Sequence, residues 1–183
     1  KIGFSTGGYA AKYGDKMSSA LDITYKTLKA KSKKPVVEGS LAASLLGADA
    51  YIGLGTQKLS WLNSVRYKTT SYLLGSMETK GEYKPNYLDY QTYLSYQPNK
   101  RWKLDFIGNI SDNHYNFEPE DRETKFGTME NVKSFRVYFD GQEKDRFLTY
   151  FGTLGITRQF TANTSLSLLG SAFYTKEQEK YDI

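Results

Sequence analysis

The chain offers little that could do chemistry. Its one histidine, His114, sits in the run DNHYNFEPED, with Asp112, Glu118 and Glu120 close by. A metal or substrate contact is conceivable there, but a lone His lacks the clustered ligands of a typical metal site. The competing reading is a solvated loop. Gly3, Gly7 and Gly8 do not form a phosphate-binding loop, because the G-x-x-x-x-G-K-[ST] spacing is missing. Ser165, Ser167 and Ser171 are plentiful, yet the histidine lies far from them and no Ser–His–Asp order stands out. There is no cysteine, which removes disulfides, thiolate metal sites and cysteine nucleophiles. The expectation is a protein that is not an enzyme and carries no cofactor or metal.

The elements that would hold these residues read as strands. The expected strands are about Met17–Leu28, Val36–Leu54, Ser60–Leu74, Tyr87–Tyr96, Arg101–Ser111, Phe147–Phe160 and Ser165–Gln178. The fourth and fifth alternate most clearly. Leu88, Tyr90, Thr92, Leu94 and Tyr96 oppose Asp89, Gln91, Tyr93 and Ser95; Trp102, Leu104, Phe106, Gly108 and Ile110 oppose Lys103, Asp105, Asn109 and Ser111, with Ile107 out of pattern. In the second, the apolar phase shifts at Gly47, which suggests a bulge. No stretch carries a helical stripe.

The connections alternate in length. Lys29–Pro35, Gly75–Asn86 and Asn113–Arg146 are loose; Gly55–Leu59, Gln97–Lys100 and Thr161–Thr164 are tight. Short turns at one end and long loops at the other are the build of an antiparallel up-and-down transmembrane β-barrel. Strands of ten or more residues exceed the usual soluble length of ~5–6 and match the ~9–11 of a tilted strand crossing a bilayer. Mean hydropathy is −0.60, and no apolar run approaches a membrane helix. A barrel hides its apolar residues at alternate positions, so this is no obstacle. The 16 Tyr, 10 Phe and 2 Trp suit interfacial girdles.

Net charge is +5 with a pI near 9.1. No nucleic-acid motif accompanies it, so a nucleic-acid partner is not expected. Lys26, Lys29, Lys31, Lys33 and Lys34 form a run that could meet anionic lipopolysaccharide or stand as a solvated loop. Asp112–Arg146 holds nine acids against six bases. Its aromatics Tyr115, Phe117, Phe126, Phe135, Tyr138 and Phe139 could stack on a ligand or pack the loop. Seven strands cannot close an antiparallel meander, and the chain opens on Lys1 and stops just after a strand-like stretch. It reads as an internal piece of a longer exported protein.

Residues Gly7 to Lys26, GGYAAKYGDKMSSALDITYK, resemble the plug–barrel junction of TonB-dependent outer-membrane receptors of the Bacteroidetes type. The positions that carry the likeness are Gly7, Gly8, Ala11, Tyr13, Gly14, Ser18, Ser19, Leu21 and Ile23. VVEGSLAASLLGADAYIGLG, NSVRYKTTSYLL and PNYLDYQTYLSYQPN are similar to the following strands of that family.

The resemblance implies the end of a plug domain at 1–16 and the N-terminal part of the barrel at 17–183, about seven strands of a barrel of about 22. It implies energy-coupled uptake of a scarce ligand such as a siderophore, cobalamin, oligosaccharide or peptide. The TonB energy-transducing complex would pull on a plug segment outside these residues. Outer-membrane lipid and lipopolysaccharide would surround the barrel. The junction departs from the NGVI-x-I-TTKKG of the starch-utilisation branch, and a surface lipoprotein partner is left open. Asp22, Lys26, Arg66, Asp89, Lys103 and Asp105 would face the lumen and plug. His114, Tyr115, Phe117, Arg122 and Phe126 would meet the ligand. The alternatives are a non-transporting outer-membrane adhesin or structural barrel, and a soluble carbohydrate-binding β-protein.

Overall fold

A computed structural model describes residues 1–8, 13–14, 18–70, 81–119, 122–128, 131–137 and 141–182. Ala11, Met17, the end of the third expected strand at 71–74, Glu120, Tyr138 and Phe139 lie outside the described residues. The described chain is all β and antiparallel. Its strands are β1 Ile2–Ser5, β2 Ala20–Ile23, β3 Val36–Ser44, β4 Gly47–Gly55, β5 Leu59–Thr69, β6 Gly81–Tyr83, β7 Asn86–Asn99, β8 Trp102–Pro119, β9 Arg122–Thr128, β10 Asn131–Val137, β11 Gln142–Gln159 and β12 Ser165–Asp182.

The main sheet runs β12-β11-β8-β7-β5-β4-β3, with β6 paired beside β7 on the far end of β8. Strands follow one another in chain order as in a meander, apart from β6 and from β9–β10, which fall between β8 and β11 in sequence and pair with each other. β3 and β12 are open edges among the described residues. β1–β2 and β9–β10 form separate hairpins.

Three expectations are corrected. The first expected strand, Met17–Leu28, does not enter the main sheet. Only Ala20–Ile23 is strand, and it pairs with Ile2–Ser5, setting Leu21 opposite Phe4 and Ile23 opposite Ile2. An alternating pattern states that one face is covered but not by which partner. The second, Val36–Leu54, is a hairpin. Ser44 pairs with Gly47 around Leu45–Leu46, and Gly47 takes φ +140°. The register is unbroken on both sides of Leu45–Leu46, so the phase change is a turn and not a bulge, and a Cβ on Gly47 would lie 2.1 Å from the Tyr67 carbonyl oxygen.

The third concerns Asp112–Arg146, which is not one long loop. β8 continues to Pro119, β11 starts at Gln142, and the β9–β10 hairpin occupies the middle. Many polar residues here alternate at the end of an existing ladder, where paired neighbours carry them on.

The turns at 56–58, 100–101 and 160–164 share one end of the sheet. There Thr56 Oγ1 accepts from the Leu59 amide (2.9 Å), and Asn99 Oδ1 accepts from the amides of Arg101 (2.9 Å) and Trp102 (3.1 Å). At the opposite end β5 stops at Thr69 and β7 starts at Asn86, β8 stops at Pro119 and β11 starts at Gln142, beside the two-residue turn at Leu45–Leu46.

The sheet's two faces differ. Cross-strand register puts Ile52, Val65, Leu94, Phe106, Leu154 and Leu168 on one face. Glu38, Asp49, Ser64, Arg66, Asp89, Gln91, Lys103, Asp105 and Thr153 lie on the other. The apolar face is bare: Leu154 is 48% and Leu168 64% exposed. The few buried residues of the sheet, Gly53, Gly55, Ser60, Leu62, Tyr93 and Ser95, lie on the polar face.

Total accessible surface is 14285 Å². A compact soluble protein of 20.8 kDa would expose about 9,000 Å². The excess belongs to a single-layer sheet whose apolar side is uncovered, to β12, which is exposed on both faces with Leu169 and Phe173 each 78% exposed on the polar-face side, and to the two small hairpins.

Candidate functional site: the polar face and its covering segment

Residues 24–30 carry no strand of their own and cross the polar face. The Thr24 amide donates to the Lys1 carbonyl at 2.8 Å, and Tyr25, Lys26, Leu28, Lys29 and Ala30 are held by the sheet and its turns. Tyr25 stacks on Tyr93 with ring centroids 5.0 Å apart, and Gln91 Nε2 donates to the Tyr25 hydroxyl at 3.0 Å. The Lys26 ammonium pairs with Glu38 and lies 4.8 Å from the centre of the Tyr51 ring, while Tyr51 donates to Glu38 at 2.6 Å. The Glu38 carboxylate, with help from Tyr51, raises the pKa of Lys26 above the usual lysine value.

The Leu28 amide donates to Ser60 Oγ at 2.9 Å, and the Ala30 amide to the Thr56 carbonyl at 3.2 Å. Lys29 reaches Gln97 Oε1 at 3.4 Å. These bonds satisfy backbone groups that no ladder serves.

Two glycines make the crossing sterically open. A Cβ on Gly53 would lie 2.6 Å from Leu28 Cδ1, and one on Gly55 2.7 Å from Leu28 Cβ and from its carbonyl oxygen. GLG at 53–55 reads in sequence only as a weak strand end. Its close-approach role needs the covering segment to be seen.

The expected lumen-facing residues divide. Arg66, Asp89, Lys103 and Asp105 lie together on the polar face. Arg66 Nη2 is 3.1 Å from Asp89 Oδ2, and Lys103 Nζ is 2.7 Å from Asp105 Oδ2. Tyr93 donates to Asp105 at 3.0 Å and Ser111 to Asp89 at 2.6 Å. Asp49, Arg66, Asp89, Gln91 and Asn109 line a polar cleft of about 400 Å³. Lys26 reaches the same face from the covering segment. Asp22 does not: it sits in β2 opposite Gly3 and accepts from the Tyr13 hydroxyl. Its strand joined the small hairpin, which took it off the sheet.

The expected ligand-binding residues divide as well. His114 lies on the apolar-face side of β8, opposite Arg146, with Nε2 3.1 Å from Asp112 Oδ1. Arg146 donates to both Asp112 oxygens, at 2.9 and 2.8 Å. Tyr115 and Phe117 point to the polar-face side. They frame a cavity of about 330 Å³ with Glu143, Asp145 and Phe147, and Tyr115 meets Phe147 edge-on at 5.7 Å. Phe126 stands exposed on the separate β9–β10 hairpin, where Arg122 opens β9. Neighbouring positions on a strand diverge by half a turn, so nearness in sequence does not make one site. Sequence reading missed Glu143, Asp145 and Phe147 as neighbours of Tyr115 and Phe117. The signal would have been the β8–β11 register.

The Lys29–Lys34 run also changes place. It was expected in a long gap at the loop end. It lies at the short-turn end, where Val36 pairs with Gly55.

On the apolar face, Thr92, Gly108, Gly152 and Ala172 line up across four strands and leave a hollow of about 480 Å³. The Phe106 ring leans into it, 3.1 Å from where a Gly108 Cβ would stand. Aromatics bound this face. Trp61, Tyr96 and Trp102 lie toward the short-turn end, with Arg158 4.8 Å from the centre of the Trp102 ring. Tyr67, Tyr90, Tyr150 and Tyr174 lie toward the loop end.

Comparison with known proteins yields no matching family model, no matching curated protein and no matching solved structure.

Proposed function

We propose that this chain is part of a TonB-dependent outer-membrane receptor that takes up a scarce ligand by energy coupling, and that it does no chemistry on that ligand. The observation that carries the reading is the inverted sheet. Its apolar face is bare, while its polar face receives another segment of the same chain. A soluble protein buries apolar area because each Å² removed from water is worth about 25 cal/mol. A sheet wetted by lipid on one side reverses the requirement.

Dimensions support the reading. Trp102 to Asp112 covers about 34 Å along β8 at ~3.4 Å per residue. Tilted by about 40°, that is roughly 25 Å of height, the span of a lipid-facing band. The open edges of β3 and β12 support membership in a larger barrel, because unpaired backbone in lipid costs several kcal/mol per group.

On this reading the sheet contributes a stretch of barrel wall. Residues up to Lys34, and not only 1–16, belong to the plug's end, and 24–30 are the strap by which the plug meets the wall. Pulling on the plug would act on Tyr25, Lys26 and Leu28. The cup of Tyr115, Phe117, Glu143, Asp145 and Phe147 is the ligand-facing wall of this piece. The non-transporting barrel does not account for a covering segment. The soluble carbohydrate-binding protein does not account for a surface more than half as large again as its mass needs.

Single-cysteine labelling tests the reading, since no native cysteine interferes. In protein reconstituted into bilayers, a membrane-impermeant reagent should modify Cys at Asp105 and spare Cys at Phe106. Equal modification of both would argue for a soluble sheet.

A further inference from the structure

We infer that Lys29, Lys58 and Lys103 form a binding site for a small oxyanion, a phosphate or a carboxylate, at the short-turn end of the polar face. The inference goes beyond the uptake reading and stands on the contact between the covering segment and the sheet alone. Register places Ser60, Ser95 and Asp105 side by side on β5, β7 and β8. Lys58, Gln97 and Lys103 follow, each two residues nearer the turns. Thr27 and Lys29 of the covering segment meet them there, and Lys29 Nζ donates to Gln97 Oε1 at 3.4 Å. Together with Ser60 and Ser95 these residues line a cavity of about 130 Å³. At about 30 Å³ per water, that is room for roughly four waters or one small oxyanion.

The lining offers donors. An ammonium group has three and accepts nothing. Ser60 is only 3% exposed, and its Oγ accepts from the Leu28 amide, which leaves its proton without an acceptor among the described residues. Gln97 gives its side-chain oxygen to Lys29 and keeps both amide protons. Lys58 makes no ion pair among the described residues. The carboxylate beside the cavity, Asp105, is held by Lys103 at 2.7 Å and accepts from Tyr93 at 3.0 Å. Three ammonium groups against that one carboxylate favour an anion, and a cation would find no charge to meet it. The cavity lies among β5, β7 and β8, inside the sheet and away from both open edges.

An oxyanion in this cavity joins Thr27 and Lys29 of the covering segment to Lys58 and Lys103 of the sheet. A ligand that binds only the closed arrangement lowers the open population by the factor 1 + [ligand]/Kd. Release of the covering segment therefore responds to the anion.

The test is limited trypsin digestion of the full chain in detergent micelles, in phosphate, in acetate and, at matched ionic strength, in chloride. At phosphate ten times its Kd, cutting after Lys29 and Lys31 should slow about tenfold relative to chloride. Cutting after Lys125 and Lys133, on the separate β9–β10 hairpin, should keep its rate. Lys58 serves its turn through backbone groups, so K58Q leaves those bonds in place. K58Q should lose most of the protection, and K34Q, outside the lining, should keep it. Broadening of the phosphorus-31 resonance of phosphate gives Kd directly and should weaken in K58Q. Protection by acetate as strong as by phosphate supports the site and assigns it to carboxylates as well. Equal cutting in all three salts, protection that survives K58Q, or equal slowing at Lys125 and Lys133 overturns the inference.

Discussion

Tyr25 stacks on Tyr93 at 5.0 Å, with ring planes 23° apart, although the two residues are far apart in sequence and lie on different elements. Their contact fixes residues 24–30 to the sheet's polar face. It also buries Tyr93, one of the few buried side chains of the chain. Such a pair contributes about 0.5–1.5 kcal/mol beyond its area. Residues 24–30 are thus held by several modest contacts and not by one strong one, as the proposed release under force would require.

Steric exclusion should release the strap. Gly55→Val places a Cβ 2.7 Å from the Leu28 carbonyl, which rigid β4 backbone cannot avoid. Trypsin should then cut at Lys29 and Lys31 at least several times faster than in the unmodified protein, with the strand signal in circular dichroism unchanged. Gly39→Ala, on the same hairpin but outside the strap, should leave the cutting rate alone.

Leu154 and Thr153 are chain neighbours on opposite faces. In bilayers, Leu154→Lys should cost about 2–4 kcal/mol in urea unfolding. Thr153→Lys should stay within about 0.5 kcal/mol, as ordinary wetted substitutions do. Similar costs for both would mean that neither face touches lipid.

Trp61 and Trp102 should report depth. Both lie on the apolar face toward the short-turn end, and Trp61 Nε1 donates to Thr92 Oγ1 at 3.0 Å. Lipids brominated near the headgroup should quench tryptophan fluorescence more than lipids brominated at the chain ends. Stronger quenching from the chain ends would place these residues at mid-bilayer, against the girdle assignment.

Topology is open to protease. On intact cells, trypsin should cut within Arg122–Val137, at Lys125, Lys133 or Arg136, and should leave Lys100–Arg101 whole. The reverse pattern would turn the sheet upside down in the membrane.

The alternation of Trp102, Leu104 and Phe106 with Lys103 and Asp105 determined by itself that this segment is a two-sided strand. The residues also specified which side each one takes, because the side-chain period of a strand is two and the backbone allows no other arrangement. The same holds for the tight turns at Thr56, Asn99 and Thr161, whose local hydrogen bonds involve only nearby residues. Partner choice was a different matter. Leu21 and Ile23 alternate as well as any barrel strand does, yet their partners are Phe4 and Ile2. Nor could local pattern reveal that Gly53 and Gly55 make room for Leu28, that Glu143 joins Phe117, or that Lys58 and Lys103 line one cavity. Each of these depends on which strands pair and in what register. Register is settled by the summed pairing of whole ladders, a non-local quantity that no single window of sequence contains.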